Sequence, residues 1–211
     1  MDAPPEQRMT VAEFLKWQET QELRYELVAG IPVLHVKSPD ETDPRMMTRA
    51  TQPHLLIAGN VDRALGNALQ EGTCESYQSD AAVRTDDEQL RYPDVVVDCP
   101  DEIEDLAEVR NPVVVFEVLS RSTRQFDLRQ KLTEYKRVPS IQTIVFIEQE
   151  FVEVEAHLRV EGDAWRTVRH IDLADTLALP ALDVEIALDV IYRRVPLDER
   201  PRPKPYLAMV Q

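Results

Sequence analysis

Short stretches that repeat an apolar residue every three or four positions alternate with short stretches that are apolar throughout. "TVAEFLKWQE" begins with Thr10 and carries Glu13 three residues later, a capping-box pattern that predicts a short helix. "RYELVAG" and "IPVLHV" predict two strands joined at Ala29-Gly30. Residues 51–70 place Leu55, Ala58, Val61, Leu65 and Leu69 at helical spacing, so an amphipathic helix is predicted there. "TCESYQ" and "AAVRT" predict strand pieces, followed by a turn at "DDEQ". "YPDVVVD" and "PVVVFEVLS" are short, β-branched and continuously apolar, the pattern of strands buried on both faces. A helix follows at about 123–136, with Phe126 or Leu128, Leu132 and Tyr135 inward and Pro139 beyond its end. "IQTIVFIEQ" is another strand of the buried type. "FVEVEAHLRV" and "WRTVRHI" predict a hairpin with one exposed face, and "LDVEIALDVIYRR" a final short helix. "PLDERPRPKPYL" reads as an extended tail.

This order lacks the strict strand–helix alternation of a doubly wound sheet. It predicts an α/β (α+β) domain, a mixed β-sheet core flanked by helices with hairpins added at both ends. One domain over residues 1–195 and a tail over 196–211 are expected, and 211 residues suffice for one sizeable core. No apolar run approaches the roughly 18 residues of a membrane span, and the polar N-terminus is not a signal-peptide pattern. Cys74 and Cys99 are the only cysteines. Without a secretion signal they are expected as two separate small thiols in a cytoplasmic protein rather than a metal pair.

Net charge is −15, which argues against coating nucleic acid by bulk electrostatics. The charge is uneven. Residues 98–108 hold six acids and no base, which reads as a solvated loop; residues 120–137 hold six bases against two acids. That basic island directly follows an anomaly: Glu117 sits inside the apolar run "PVVVFEVLS". A carboxylate in a buried strand is costly to keep ionised unless a cation or several donors meet it. One strand earlier, Asp94 fronts another apolar run. If neighbouring strands bring Asp94 and Glu117 together, a hard divalent cation such as Mg²⁺ relieves their repulsion. Lys131, on the helix that follows, is placed to hold a phosphate oxygen or an attacking water. Asp127, Lys131 and Tyr135 are four residues apart in turn and fall close to one helix face.

Blander readings stand beside this one. Glu117 could pair with Arg121 or cap the loop that follows, and Lys131 could be a solvated partner of Asp127. Tyr135 could be core, His54 a half-buried helix histidine, Glu26 an ordinary hairpin acid and Ser120 a helix cap. His35, His157 and His170 lack metal-ligand spacing and read as surface or strand residues.

Taken together, "YELVAG", His54 in a helix, "RYPDVVVD", "FEVLSRST" and then Asp127, Lys131 and Tyr135 resemble the Uma-type putative restriction endonuclease family of the PD-(D/E)XK nuclease superfamily. The resemblance covers roughly residues 9–195. It implies a restriction-endonuclease-like core and divalent-metal-dependent cleavage of DNA. Pro93-Asp94 matches the superfamily's "PD" and Glu117 its second acid. The position two residues after Glu117 is Leu119, and Lys131 matches a lysine displaced onto the next helix. The roles implied are Mg²⁺ (or Mn²⁺) binding by Asp94 and Glu117, with the Val118 carbonyl as a third ligand, and charge stabilisation by Lys131. Glu26 would be a further ligand or a ligand-orienting group. His54, Arg121, Arg124 and Tyr135 are the candidates for substrate contact. The chain departs from the family pattern where Ile31 rather than an acid follows Gly30, and where Thr143-Ile144 replaces an aromatic pair. A homodimer is expected, because a duplex presents two symmetry-related strands. Two other readings remain: a catalytically inactive module of the same fold that binds nucleic acid or protein, and an acidic assembly protein whose carboxylates are structural.

Overall fold

The structure, a computed structural model, describes residues 8–35, 51–100, 108–119, 124–161 and 163–199, with the backbone alone for 124–127. Helix α1 (Val11–Gln18) is closed by the expected capping box, in which the Glu13 amide donates to Thr10 Oγ1 and the Thr10 amide donates to the Glu13 carboxylate. Strands β1 (Tyr25–Val28) and β2 (Ile31–Leu34) pair antiparallel. Ala29 and Gly30 between them both have positive φ, as a two-residue hairpin turn requires.

Helix α2 (Gln52–Ala68) buries Ile57, Ala58, Val61 and Leu65, while Leu55 points to solvent. The buried stripe is therefore rotated from the expected one, towards His54 rather than Leu55. Strands β3 (Glu75–Gln78), β4 (Val83–Asp86) and β5 (Gln89–Arg91) follow. The run read as one strand, "YPDVVVD", enters its sheet only at Val95, where β6 (Val95–Asp98) begins. Pro93 has no amide to give a ladder, and at this point the chain passes from one sheet to another.

Strand β7 (Pro112–Leu119) leads into α3 (Arg124–Arg137), β8 (Thr143–Glu148), β9 (Val154–Arg159) and β10 (Trp165–His170). One expectation fails after this point. The expected final helix is instead strand β12 (Val184–Ala187) followed by one helical turn, α4 (Leu188–Ile191), and β12 pairs with the unforeseen β11 (Thr176–Leu179). "VEIA" alternates, burying Val184 and Ile186, so strand period prevails over helix propensity. The expected hairpin is present as β9–β10, and it lies at the edge of the central sheet.

Among the described residues, the central sheet has the order β10-β9-β8-β7-β6-β3, and a second sheet the order β2-β1-β5-β4. The β7–β8 pair is parallel and the other pairs in the central sheet are antiparallel, which makes it mixed. Side chains alternate across β7. Val114, Phe116 and Val118 pack with α2, β11, β12 and α4 on one face. Val115 and Leu119 pack under α3 with Tyr135, Ile144 and Phe146 on the other. Glu117 shares this second face, so the anomalous carboxylate of the strand points at α3. Arg159 holds the C-terminal end of α3 by donating to the carbonyls of Lys136 and Val138. No helix among the described residues is long and apolar enough to cross a membrane. Residues 101–107 of the acidic segment and 200–211 of the tail lie outside the described residues. Asp98, counted in the acidic segment, is buried and accepts the amides of Arg110 and Asn111 rather than facing solvent.

The two cysteines are not separate thiols. Cys74 and Cys99 form a disulfide beside the Glu75–Asp98 pair of β3 and β6, closing a loop of 25 residues. Cross-strand neighbours at strand ends come close enough to be bridged, which spacing along the chain does not reveal. The bond also removes the thiol argument for a reducing compartment. By chain entropy a loop of this length contributes about 3 kcal/mol. Reduction, or the Cys74→Ser/Cys99→Ser double variant, should lower the melting temperature by roughly 6–12 °C. Thiol titration of the denatured, unreduced chain should find none; two titratable thiols would contradict the bond.

Candidate active site

The β6–β7 ladder pairs Val95 with Phe116 and Val96 with Val115. One step further in the same register, Asp94 comes level with Glu117. The two acids thus stand side by side where the central sheet opens towards α3. Asp94 is held from two directions. His54 donates from Nε2 to Oδ1 (2.9 Å), and the Val118 amide donates to Oδ2 (2.7 Å). His54 lies in the first turn of α2, whose N-cap Thr51 donates to Gln149 Oε1 at the end of β8 (2.5 Å). The Val118 group engaged with Asp94 is its amide.

Glu117 is met by α3. Lys131 Nζ donates to Oε2 at 2.9 Å and Tyr135 Oη donates to Oε1 at 2.7 Å. Lys131 and Tyr135 are one helical turn apart, so a single face of α3 delivers both. Burial, followed by the opposing effects of the Lys131 and Asp94 charges, raises the Glu117 carboxyl above the ordinary range. Burial and the neighbouring Glu117 likewise push the Tyr135 phenol well up, so it stays a donor.

Glu26 joins from the second sheet. In the antiparallel β1–β5 pair, Leu27 faces Leu90, which brings Glu26 level with Arg91. Arg91 Nη1 donates to Glu26 Oε2 at 2.7 Å, and the Tyr92 amide donates to Oε1. His35 Nδ1 lies 3.3 Å and Lys131 Nζ 3.9 Å from the same Oε1. Burial alone would raise Glu26. Lys131, the His35 hydrogen bond and Arg91 outweigh it and hold the carboxyl well below the usual range. Arg91 also grips Glu134 on α3 with two donors, Nε to Oε2 at 2.6 Å and Nη2 to Oε1 at 2.8 Å.

Among the described residues the site therefore gathers four buried carboxylates, Glu26, Asp94, Glu117 and Glu134, around the basic side chains Arg91 and Lys131. Asp94, Glu117 and Lys131 keep 6, 8 and 11% of their side-chain surface exposed, so the group is enclosed without being sealed. Also among the described residues, no group of three or more His, Cys, Asp and Glu side chains is arranged to hold a metal ion.

Of the sequence candidates, Asp94, Glu117, Lys131, Glu26, His54, Tyr135 and the Val118 backbone come together here. Tyr135 is fully buried with its hydroxyl on Glu117. Arg121 and the side chains of Arg124 and Asp127 lie outside the described residues. Sequence reasoning passed over Arg91, Glu134 and His35. His35 read as a bystander, yet it contacts Glu26 and stacks edge-on to Tyr92. The available signal was Arg91 beside "YPD" in a chain short of bases. His157, a strand residue as read, is buried and bonded to Glu155 and Thr167.

Comparison with known proteins came to one consistent result. The sequence model of a family described as putative restriction endonuclease (Uma2) matches residues 11–190. An uncharacterised protein of Synechocystis sp. is 26% identical over 191 residues, covering 90% of this chain and 94% of that protein. A second uncharacterised Synechocystis sp. protein is 28% identical over 163 residues, covering 74% and 84%. Among solved structures, a putative nuclease of DUF820 from Anabaena variabilis superposes with a TM-score of 0.66 at 14% identity, covering 87% of this chain and 97% of that one. At that identity the likeness concerns the fold.

Proposed function

We propose that this chain, which belongs to the Uma2 putative restriction endonuclease family, is a divalent-metal-dependent nuclease that hydrolyses DNA phosphodiester bonds. One observation carries the reading: Asp94, just before β6, is held by the Val118 amide beside Glu117 of β7, and the Lys131 ammonium lies on Glu117. The donor chemistry fits a hard cation. Asp94 and Glu117 present carboxylate oxygens, hard donors of the kind Mg²⁺ prefers, and His54, the Val118 amide, Lys131 and Tyr135 hold those oxygens in place. Mg²⁺ is commonly held by one or two carboxylates, with water and substrate phosphate completing the octahedron. Two acids are therefore enough, and a preformed cage of three side chains is not required.

When bound, the cation would lower the pKa of a coordinated water and screen the phosphate charge. The chain's own groups have separable tasks. Asp94 and Glu117 hold the cation. His54 and the Val118 amide orient Asp94, and Tyr135 orients Glu117. Lys131 can turn from Glu117 to a non-bridging phosphate oxygen and balance the charge that develops there. Glu26, occupied by Arg91 and the Tyr92 amide, acts as an orienting group.

The test is cleavage of plasmid and single-stranded DNA in Mg²⁺ or Mn²⁺. Wild type should cut, EDTA should stop it, and Asp94→Ala should lose at least a hundredfold, since it removes one of the two ligands and the partner of His54. Wild-type cleavage that Asp94→Ala leaves intact would reject this site. An absence of wild-type cleavage on both substrates in either metal would favour the inactive-module reading.

A further inference from the structure

Two carboxylates compete for one ammonium in this site. Lys131 Nζ lies 2.9 Å from Glu117 Oε2 and 3.9 Å from Glu26 Oε1. Both acids are buried, where charge interactions are stronger than in water. What separates them is Arg91. Its Nη1 occupies Glu26 Oε2, while its Nε and Nη2 form a two-point fork on Glu134. Glu134 lies three residues beyond Lys131, on the same side of α3. Fixing Glu134 therefore fixes the rotation of α3 about its axis, and with it the direction in which Lys131 leaves the helix. Gln89 and Gln130 also donate to Glu134 Oε1, which makes the anchor a buried, multiply bonded point.

We propose that Arg91 is a positioning residue for the Lys131 ammonium: it neutralises the competing Glu26 and pins α3 through Glu134, so that the lysine settles on Glu117. The inference rests on the nuclease reading for its catalytic consequence, though its geometric content does not depend on that reading. Arg91 lies three residues before Asp94, in the stretch that crosses from one sheet to the other. A single short segment thus sets both a metal-binding acid and, at one remove, the phosphate-facing cation. The guanidinium is suited to this because it bonds two carboxylates from three nitrogens at once, which an ammonium does not do in fixed geometry.

The test is a rescue. In the full chain, assayed well below each variant's melting temperature, Arg91→Met should lower kcat at least tenfold with KM within threefold, because Glu26 now draws Lys131 away. Adding Glu26→Gln removes the competitor, and the double variant should regain at least fivefold in kcat. A double variant as slow as Arg91→Met, or slower, is the result of a merely structural ion pair and overturns the proposal. Should Arg91→Met not fold, Arg91→Lys keeps a charge but loses the fork; a threefold loss with recovery by Glu26→Gln is then expected, and no recovery overturns it. If wild type cuts nothing, the nuclease reading falls and crystal structures of the same variants decide this one. Lys131 Nζ closer to Glu26 in the single variant and back on Glu117 in the double supports the proposal, and Nζ unmoved in the single variant overturns it.

Discussion

Glu117→Ala should cut cleavage by at least a thousandfold and remove the melting-temperature rise that Mg²⁺ or Mn²⁺ gives the wild type. A metal-assisted hydrolysis draws several kcal/mol of transition-state stabilisation from the cation, and about 4 kcal/mol is a factor near a thousand. Glu117 is one of two carboxylates in the proposed donor pair, and no other described carboxylate sits opposite Asp94 in the β6–β7 register. The substitution also leaves the Lys131 ammonium and the Tyr135 hydroxyl without their shared acceptor. Breaking a buried pair from one side costs about 3–5 kcal/mol, so lost activity could reflect lost folding. Glu117→Gln separates the two effects. It keeps the volume and a carbonyl for Tyr135, yet gives up the anionic ligand. The expected result is a folded protein with no metal-induced shift and activity as low as that of Glu117→Ala.

Lys131→Met should lower kcat by about 10²–10³, the usual cost of removing one preorganised charge stabiliser. Its signature differs from that of the carboxylate variants, because the cation remains bound. Wild-type Lys131 meets Glu117 at 2.9 Å and would share it with the metal. Without the ammonium, Glu117 is a buried acid with Tyr135 and the Asp94 charge beside it, so the metal-free chain should be less stable by about 3–5 kcal/mol. Metal should then restore more stability than it adds to wild type. Thermal unfolding with and without Mn²⁺ reads this directly. A larger metal-induced shift in Lys131→Met than in wild type is expected; a vanished shift would mean that the lysine, and not the acid pair, organises the cation site.

Several parts of this arrangement were legible along the chain. A carboxylate inside "PVVVFEVLS" breaks the strand's own pattern, and a pattern broken without local compensation points to function. "PD" at the front of β6 and a lysine about one turn past Asp127 in α3 completed the constellation. The capping box at Thr10 and the Ala29-Gly30 turn were equally plain, because both are set by residues close in sequence. What escaped was long-range. The Arg91–Glu134 fork joins residues 43 apart, from a strand to a helix, and the Arg91–Glu26 pair joins residues 65 apart on neighbouring strands of the second sheet. Neither shows in a window of ten residues. The Cys74–Cys99 bond follows from strand pairing, not spacing. The last misread element, β12, combined an alternating strand with one helical turn in thirteen residues, too short for either period to dominate. His54 and Asp94 were both found as candidates, but the bond between them, across forty residues, was not.

The central claim is that Asp94 and Glu117 hold one divalent cation beside Lys131. Diffraction from crystals soaked in Mn²⁺, read at the metal's absorption edge, tests it most directly. The result expected is a single strong anomalous peak within coordination distance of an oxygen of Asp94 and an oxygen of Glu117, lost in Glu117→Gln. Mn²⁺ bound elsewhere on the chain, with this pair of carboxylates left to their hydrogen bonds, would contradict it.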